Sequence, residues 1–245
     1  MELINCTWEL ANLDCRVAEL SVQSYDDFNP SMLDKAEKDF DYLVVKADSK
    51  DFRLYEALGR LGYQFVEAQF SVQKNIRKFD VSSDKLVQYH LRYFQLEPVV
   101  SLDTLNEALL SMTPDMYSTD RIYLDPCFGP GYSLRRYRNW SMTEFQNGSP
   151  CFRMMYCGKC AGLAVLKKEG EVLYGLLAGF YEEYQKMGLG ILIPTLPLVL
   201  KDSQCWLYKT NISSNNLPVI QMYFHHNYNI TKIRYVFTKH TNYGS

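Results

Sequence analysis

Hydrophobic positions in the first third of the chain switch between the two-residue period of strands and the longer period of helices. Phe52, Tyr55, Leu58 and Leu61 recur near helical spacing, and Gly62 ends that pattern. Short apolar runs flank this segment, as strands require. The pattern predicts a small β-α-β-α-β domain over residues 1–79, with strands at 16–22, 42–46 and 63–72 and helices at 30–38 and 51–61.

A polar stretch at residues 80–90 is interpreted as a linker, and residues 91–245 form the second predicted domain. Within it, three apolar runs between residues 151 and 180 are joined by the short turns Cys157-Gly-Lys and Lys168-Glu-Gly170, which is the pattern of a β-meander. The other predicted elements are strands at 91–99, 205–210 and 230–238 and helices at 102–110, 131–146, 189–200 and 217–226. The chain as a whole therefore predicts a mixed α/β (α+β) protein.

Composition and charge narrow the class of protein. The 245 residues carry a formal net charge of −2, so no overall field draws the chain to nucleic acid or to an anionic membrane. The N-terminus lacks the basic start and apolar core of a signal peptide, and the longest apolar run, residues 188–200, is too short for a membrane span. We therefore expect a cytoplasmic protein without a nucleic-acid or membrane partner.

Seven cysteines, an odd number, argue against a disulfide framework. Cys157 and Cys160 have CxxC spacing, but a structural zinc site normally needs a second such pair, and the sequence has none. Gly158 and Lys159 also suit the tip of a hairpin between two apolar runs. The hairpin turn is the favoured interpretation, and we expect no metal.

The segment Gln185-Lys-Met-Gly188-Leu-Gly190 lies between a predicted strand and a predicted helix. At the start of a helix, backbone N–H groups and the positive end of the helix dipole favour a phosphate, and glycine lets the phosphate approach the backbone. The segment fits neither the Walker pattern nor the GxGxxG dinucleotide pattern. It predicts a phosphate-binding loop of another kind.

The sequence from Ala178 to Gly190 resembles the acetyl-CoA signature of the GNAT superfamily of N-acetyltransferases, in which a strand end and a short loop precede [RQ]xxGx[GA]. The resemblance implies a GNAT acyltransferase fold with a mixed central sheet, preceded by a small N-terminal half-GNAT-like domain. It also implies that acetyl-CoA is the co-substrate, with its pantetheine arm along the strand end and its diphosphate on the loop. The residues that it assigns to acetyl-CoA in this way are Leu177, Ala178, Gly179, Phe180, Gln185, Lys186, Met187, Gly188, Leu189 and Gly190.

A second segment, from Asn216 to Tyr228, resembles the late helix of the same superfamily, NxxAxxLYxxxGF. The match adds Asn216 and Tyr223 to the acetyl-CoA site and implies that Tyr223 is the general acid that protonates the departing thiolate. A phenol with a pKa near 10 keeps its proton at neutral pH and can deliver it. The alternative is that Tyr223 is a buried structural tyrosine, and no general base is assigned.

Two prolines interrupt the helix predicted after the loop. Pro194 and Pro197 each lack a backbone N–H, so they should kink or shorten the helix at 189–200. The first turn, which faces the loop, precedes both prolines. The expected binding loop is therefore compatible with a distorted helix.

The segments around Asp120 and Trp140 are similar to those of the TDP-fucosamine (dTDP-4-amino-4,6-dideoxygalactose) N-acetyltransferases. An amino sugar carried on a nucleotide is therefore the expected acceptor, because a diphosphate suits arginine and a base suits an aromatic face. The expected acceptor-binding residues are Arg121, Arg135, Tyr137, Arg138 and Trp140. Alternatively, the aromatic residues pack in the core and the arginines form a solvated face.

Two other functions stay open from the sequence. One is a GNAT enzyme that acetylates another amine, such as an amino acid, an antibiotic, a polyamine or a protein amine. The other is a non-catalytic module that binds acyl-CoA. A homodimer is compatible with the resemblance.

Overall fold

The computed structural model describes residues 1–48, 50–200 and 204–241. The strands in these residues are β1 Glu2–Asn5, β2 Val17–Val22, β3 Tyr42–Ala47, β4 Gln64–Asn75, β5 Phe94–Pro98, β6 Cys151–Tyr156, β7 Lys159–Glu169, β8 Val172–Phe180, β9 Leu207–Ser213 and β10 Asn229–His240. The α-helices are α1 Leu10–Leu13, α2 Pro30–Asp39, α3 Phe52–Arg60, α4 Lys85–Leu91, α5 Leu102–Leu110, α6 Arg121–Leu124, α7 Pro130–Gln146, α8 Glu182–Gln185, α9 Leu196–Leu200 and α10 Leu217–His225. Short 3₁₀ helices lie at Thr7–Glu9, Tyr25–Asp27, Ile76–Lys78, Pro114–Tyr117 and Leu189–Thr195.

The chain folds into two compact units. The first contains Met1–Phe70, Ser213–Asn215 and the chain from Lys232 onward, and the second contains Ser71–Ile212 and Asn216–Thr231. These units depart from the predicted domains at 1–79 and 91–245 because β10 pairs antiparallel with β3. The predicted linker at 80–90 also contains all of α4 except its last residue, Leu91.

The first unit is a small sheet covered by two helices. Its strands lie in the order β1-β2-β3-β10-β4, with β2 parallel to β3, β1 antiparallel to β2 and β10 antiparallel to β3. Alternate residues of β2 and β3 point to one face, where they pack against α2 and α3. The buried side chains of this core include Leu20, Val22, Leu33, Leu43, Val45, Leu54 and Leu58.

The second unit has the strand order β9-β8-β7-β6-β5. Strands β5 to β8 pair antiparallel in the predicted meander, and β8 pairs parallel with β9. On one face, Leu163 and Val165 of β7 pack with α5 and α7, and on the other face Ala164 packs with the 3₁₀ helix after the loop. Because both faces of β7 are covered, the end of β8 lies in the middle of a three-layer structure.

The segment after the loop follows the expectation from its prolines. Residues 189–195 form a 3₁₀ helix that includes Pro194, and α9 begins only at Leu196. A 3₁₀ helix is short and leaves fewer donors to satisfy, so it tolerates a proline more readily than a long α-helix does. Across the described ranges, which omit residue 49, residues 201–203 and the last four residues, the helices are too short or too polar to cross a membrane.

Candidate functional site

The strand β8 loses one of its two neighbours partway along its length. Its parallel register with β9 runs from Val172 and Leu207 to Gly175 and Thr210, and residues 176–180 of β8 lie beyond it. The antiparallel register with β7 shifts between Val165 and Leu166, opposite this point. Such a bulge increases the local twist and turns strands away from each other. The second half of β8 is therefore positioned to present backbone groups at a split in the sheet.

The hydrogen-bond pattern identifies those groups. The N–H of Tyr181 donates to the carbonyl of Ala161 at 2.8 Å, which makes these two residues a hydrogen-bonded pair between the strands. Because such pairs alternate in an antiparallel ladder, the N–H and C=O groups of Ala178 and Phe180 point away from β7, toward the split. The side-chain amide of Gln185 donates to the carbonyl of Phe180 at 3.3 Å, in agreement with this orientation.

The loop after β8 begins with the short helix α8 and turns at a glycine. Gly188 has φ +72°, in the left-handed region, and a side chain added there would meet no atom within 4 Å. The N–H groups of Lys186 and Met187 turn back to the carbonyl of Tyr184. The first N–H groups of the following 3₁₀ helix have no partner within that helix, so Gly188, Leu189 and Gly190 supply the outward donors of the loop.

Gly190 has a different role from Gly188. A Cβ at residue 190 would lie 2.7 Å from the terminal methyl carbon of Met222. The absence of a side chain therefore lets the 3₁₀ helix lie close to α10. The loop and α10 are therefore held together here by close apolar packing against Met222.

The helix α10 carries the two residues expected from the second motif. Asn216 is its N-cap, and its side-chain oxygen accepts a hydrogen bond from the N–H of Val219 at 3.2 Å. Tyr223 lies seven residues later, on the same face of the helix. The structure thus gives Asn216 a capping role and directs both residues to one side of α10.

Tyr223 lies in a cluster of hydroxyl groups at the end of the β8–β9 pairing. It is 3% exposed, and the hydroxyl groups of Tyr208 and Thr210 are close enough to influence the pKa of its phenol. Thr210 also donates to the carbonyl of Gly175 at 2.7 Å, and a side chain at residue 175 would overlap the hydroxyl of Tyr208. The hydroxyl of Tyr223 therefore lies close to the point where β8 and β9 separate.

Burial determines the protonation of this cluster. It raises the pKa of Tyr223 well above its usual value, and the neighbouring phenols of Tyr208 and Tyr228 add to the shift. Burial also raises the pKa of Tyr208, to about 12. Both phenols therefore keep their protons at neutral pH, as a proton donor must.

A cleft of about 670 Å³ lies beside the loop. Residues of α8 line one side of it, and Ser111, Thr113 and Asp115 from the segment after α5 line another. The charged groups among its described lining residues are Asp115, Glu182, Glu183 and Lys186. The cleft is therefore net acidic.

The five residues expected to bind the acceptor do not form one exposed cluster. Arg138 donates to the carbonyl of Met112 at 2.7 Å, near the end of α5. Tyr137 stacks on Tyr117 with ring centroids 3.8 Å apart, and Trp140 packs against the same core. These contacts match the alternative in which the aromatic residues are core. Arg121 lies in α6, and the guanidinium carbon of Arg135 lies 4.8 Å from the ring centroid of Tyr132. Neither arginine lines the acidic cleft.

Comparison with solved structures identifies the fold. A GCN5-related N-acetyltransferase from Kribbella flavida has a TM-score of 0.57 at 13% identity, with 94% of this chain and 82% of that chain covered. The fold is that of the GCN5-related N-acetyltransferases, or GNAT proteins. The predicted fold class is thereby confirmed.

Two further structures have a similar fold. A tandem GNAT protein from the clavulanic acid biosynthesis pathway has a TM-score of 0.54 at 12% identity, with 94% of this chain and 79% of that chain covered. A functionally unknown conserved protein from Staphylococcus epidermidis has a TM-score of 0.62 at 13% identity, with coverages of 92% and 84%. No family model and no curated protein matches the sequence. At these identities the similarity to GNAT proteins concerns the fold.

Sequence patterns did not reveal Tyr208 and Thr210. They lie on β9, and only the register with β8 brings them next to Tyr223. Tyr208 and Thr210 are two residues apart on a predicted strand, which indicates that both side chains lie on the same face of it. Nothing in the sequence pointed from that face to α10.

Proposed function

We propose that this protein is an N-acetyltransferase that moves an acetyl group from acetyl-CoA to the amine of a small acceptor. The observation that carries the proposal is that three features occur together in the second unit. The unpaired half of β8, the outward N–H groups after Gly188 and the hydroxyl of Tyr223 all lie around the split between β8 and β9. The resemblance to the acetyl-CoA signature of GNAT proteins implies that the pantetheine arm lies along this end of β8.

Acetyl-CoA would lie along the split with its amides paired to the backbone of β8. The N–H and C=O groups of Ala178 and Phe180 have the spacing of an added strand, which a pantetheine arm can imitate. The diphosphate would be bound by the N–H groups of Gly188, Leu189 and Gly190. The flanking residues of β8 and the loop, together with Asn216, would shape this binding surface.

In the proposed reaction, the neutral amine attacks the thioester carbonyl carbon and the carbon–sulfur bond breaks. The N–H of Phe180, which points into the split, would stabilise the oxyanion, because a fixed donor in a site shielded from water costs no reorganisation. Tyr223 would give its proton to the departing thiolate and recover one through the hydroxyls of Tyr208 and Thr210. The proton from the amine goes to a base that we do not assign.

Two acceptor classes make opposite demands on charge. An amino sugar on a nucleotide, which the similarity to TDP-fucosamine N-acetyltransferases implies, needs cations for its diphosphate. Arg121 and Arg135 are the candidates for that role, because Arg138 already donates to the carbonyl of Met112 after α5. The cleft beside the loop instead carries Asp115, Glu182 and Glu183, which favours an acceptor with additional positive charge, such as a polyamine or a polyamino antibiotic.

A thermal-shift titration tests the co-substrate. We expect acetyl-CoA and CoA to raise the Tm and an equal concentration of ATP to leave it unchanged, because ATP lacks the pantetheine arm that pairs with β8. A Tm that is unaffected by both CoA species would exclude the proposal. Binding without acetylation of any amine would support the non-catalytic module instead.

Mass spectrometry of the products then distinguishes the acceptors. The protein is incubated with acetyl-CoA and, in separate reactions, with amino sugar nucleotides, free amino sugars, polyamines and polyamino antibiotics. A gain of one acetyl group on a nucleotide sugar would support the role of the arginines. Acetylation confined to the polycations, weakened in the Glu182→Gln variant but not in a Glu169→Gln control, would support the acidic cleft, because Glu169 pairs with Lys167 at the end of β7.

A further inference from the structure

Three side chains that commonly bind metals meet away from the acetyl-CoA site. The ligand atoms of Asp84, His225 and His226 all lie within 4.8 Å of one another. Asp84 precedes α4, whereas the two histidines stand at the end of α10, about 140 residues later in the chain. They line a separate cavity of about 430 Å³, and the proposed acyl transfer uses none of them.

The start of α4 holds the carboxylate of Asp84 through one of its two oxygens. Its Oδ1 accepts hydrogen bonds from the N–H groups of Leu86 and Val87 at 3.1 and 3.0 Å. Its Oδ2 faces the Nε2 of His225 at 2.6 Å. The helix start therefore fixes the orientation of the carboxylate, and Oδ2 is presented to the imidazole.

His226 makes, through one ring nitrogen, the kind of contact with a backbone carbonyl that metal-binding histidines usually make. It is 5% exposed, and its Nε2 lies 3.1 Å from the carbonyl oxygen of Ile191. A carbonyl only accepts, so Nε2 carries the proton and Nδ1 has the lone pair. A neutral imidazole with its other nitrogen bonded to a carbonyl is the form that binds a metal.

The distances suit a small tetrahedral ion after a modest movement. Bonds of about 2.0–2.2 Å to a tetrahedral zinc ion separate two ligand atoms by about 3.3 Å. The Asp84–His225 contact would have to widen, and the side chain of His225, which is 53% exposed, has room to turn. Lys74 reduces the expected affinity, because its ammonium group donates to the carbonyl of His226 at 2.8 Å.

We propose that Asp84, His225 and His226 form a zinc-binding site, with water in the fourth position. Two imidazoles and one carboxylate are a ligand set that zinc takes when one position stays open. The ion would join the start of α4 to the end of α10, the helix that carries Tyr223. The competing interpretation is a simple ion pair between Asp84 and His225.

Calorimetry with zinc chloride on protein freed of metal by EDTA separates the two interpretations. A Cys157→Ser background removes an exposed thiol that would also bind zinc. We expect one zinc ion per chain, with the Kd raised at least about tenfold in Asp84→Asn and in His225→Gln. Asparagine keeps the side-chain oxygen that caps α4, so Asp84→Asn removes the charge and not the cap.

Asp103→Asn is the matched control, because it removes a carboxylate from the first turn of another helix, α5, and should leave the Kd unchanged. Cobalt absorption gives a second measurement, since tetrahedral cobalt has intense visible bands that both cluster variants should lose. Absence of zinc binding in the parent protein would overturn the proposal. An unchanged Kd in Asp84→Asn and His225→Gln would overturn it as well.

Discussion

The proposed role of Tyr223 as proton donor can be tested most directly. We expect Tyr223→Phe to lower kcat at least about tenfold while the Kd for acetyl-CoA stays within about twofold, because the lost hydroxyl acts only when the thiolate leaves. Steady-state kinetics and calorimetry measure the two quantities. Tyr228→Phe is the matched control: its ring lies 4.8 Å from that of Tyr223, but its hydroxyl donates to the carbonyl of Pro194. It should cost stability and leave kcat nearly unchanged; equal losses of kcat in both variants would make Tyr223 structural.

The pH profile gives an independent test of the same residue. Because burial raises the pKa of Tyr223, the phenol stays protonated through its ordinary pKa near 10. The proton donor is therefore present at every pH below about 10, and kcat should not fall between about pH 8 and pH 10. A fall in that range that disappears in Tyr223→Phe would show an ionising tyrosine and contradict the expected direction of the shift.

At the scale of elements, the loop after β8 depends on a glycine with a left-handed conformation. Gly188→Val places a branched side chain at φ +72° and in front of the N–H groups proposed to bind the diphosphate. Gly170→Val introduces similar backbone strain at φ +57°, in the turn before β8, and is the matched control. We expect both variants to lose about 1–2 kcal/mol of unfolding free energy and only Gly188→Val to lose acetyl-CoA binding by calorimetry. Retained binding in Gly188→Val would remove the loop from the site.

The sequence predicts best those elements whose ends are marked by turn residues. The predicted turns that join β6, β7 and β8 agree with the structure because Gly158 and Gly170 mark the ends of the apolar runs. The helix α4 went unpredicted within a polar stretch, although its cap, Asp84, was visible in the sequence. The candidate site could be proposed from the sequence only where it is continuous along the chain, as in residues 177–190, and its binding of acetyl-CoA stays a prediction. Tyr208 and the packed state of Arg138 depend on partners across the fold, which local periodicity cannot reveal.

The whole molecule shows why sequence order does not define its units. The predicted N-terminal domain ends at residue 79, yet the first unit also needs the end of β10. That strand covers the edge of β3 from Tyr42 to Ala47 and places Phe237 in the core. A fragment of residues 1–79 would leave this edge unpaired and this core open.

We therefore expect residues 1–79 alone to lack a cooperative unfolding transition in urea, followed by circular dichroism. Joining residues 232–241 to the same fragment through a flexible glycine-serine linker should restore the transition, because the added strand pairs with β3. A linked fragment with Val236 and Phe237 changed to Asp is the control, since both side chains are buried and the charges would oppose docking. Cooperative unfolding of residues 1–79 without the added strand would show instead that the sequence-predicted domain is sufficient and that β10 is an accessory to it.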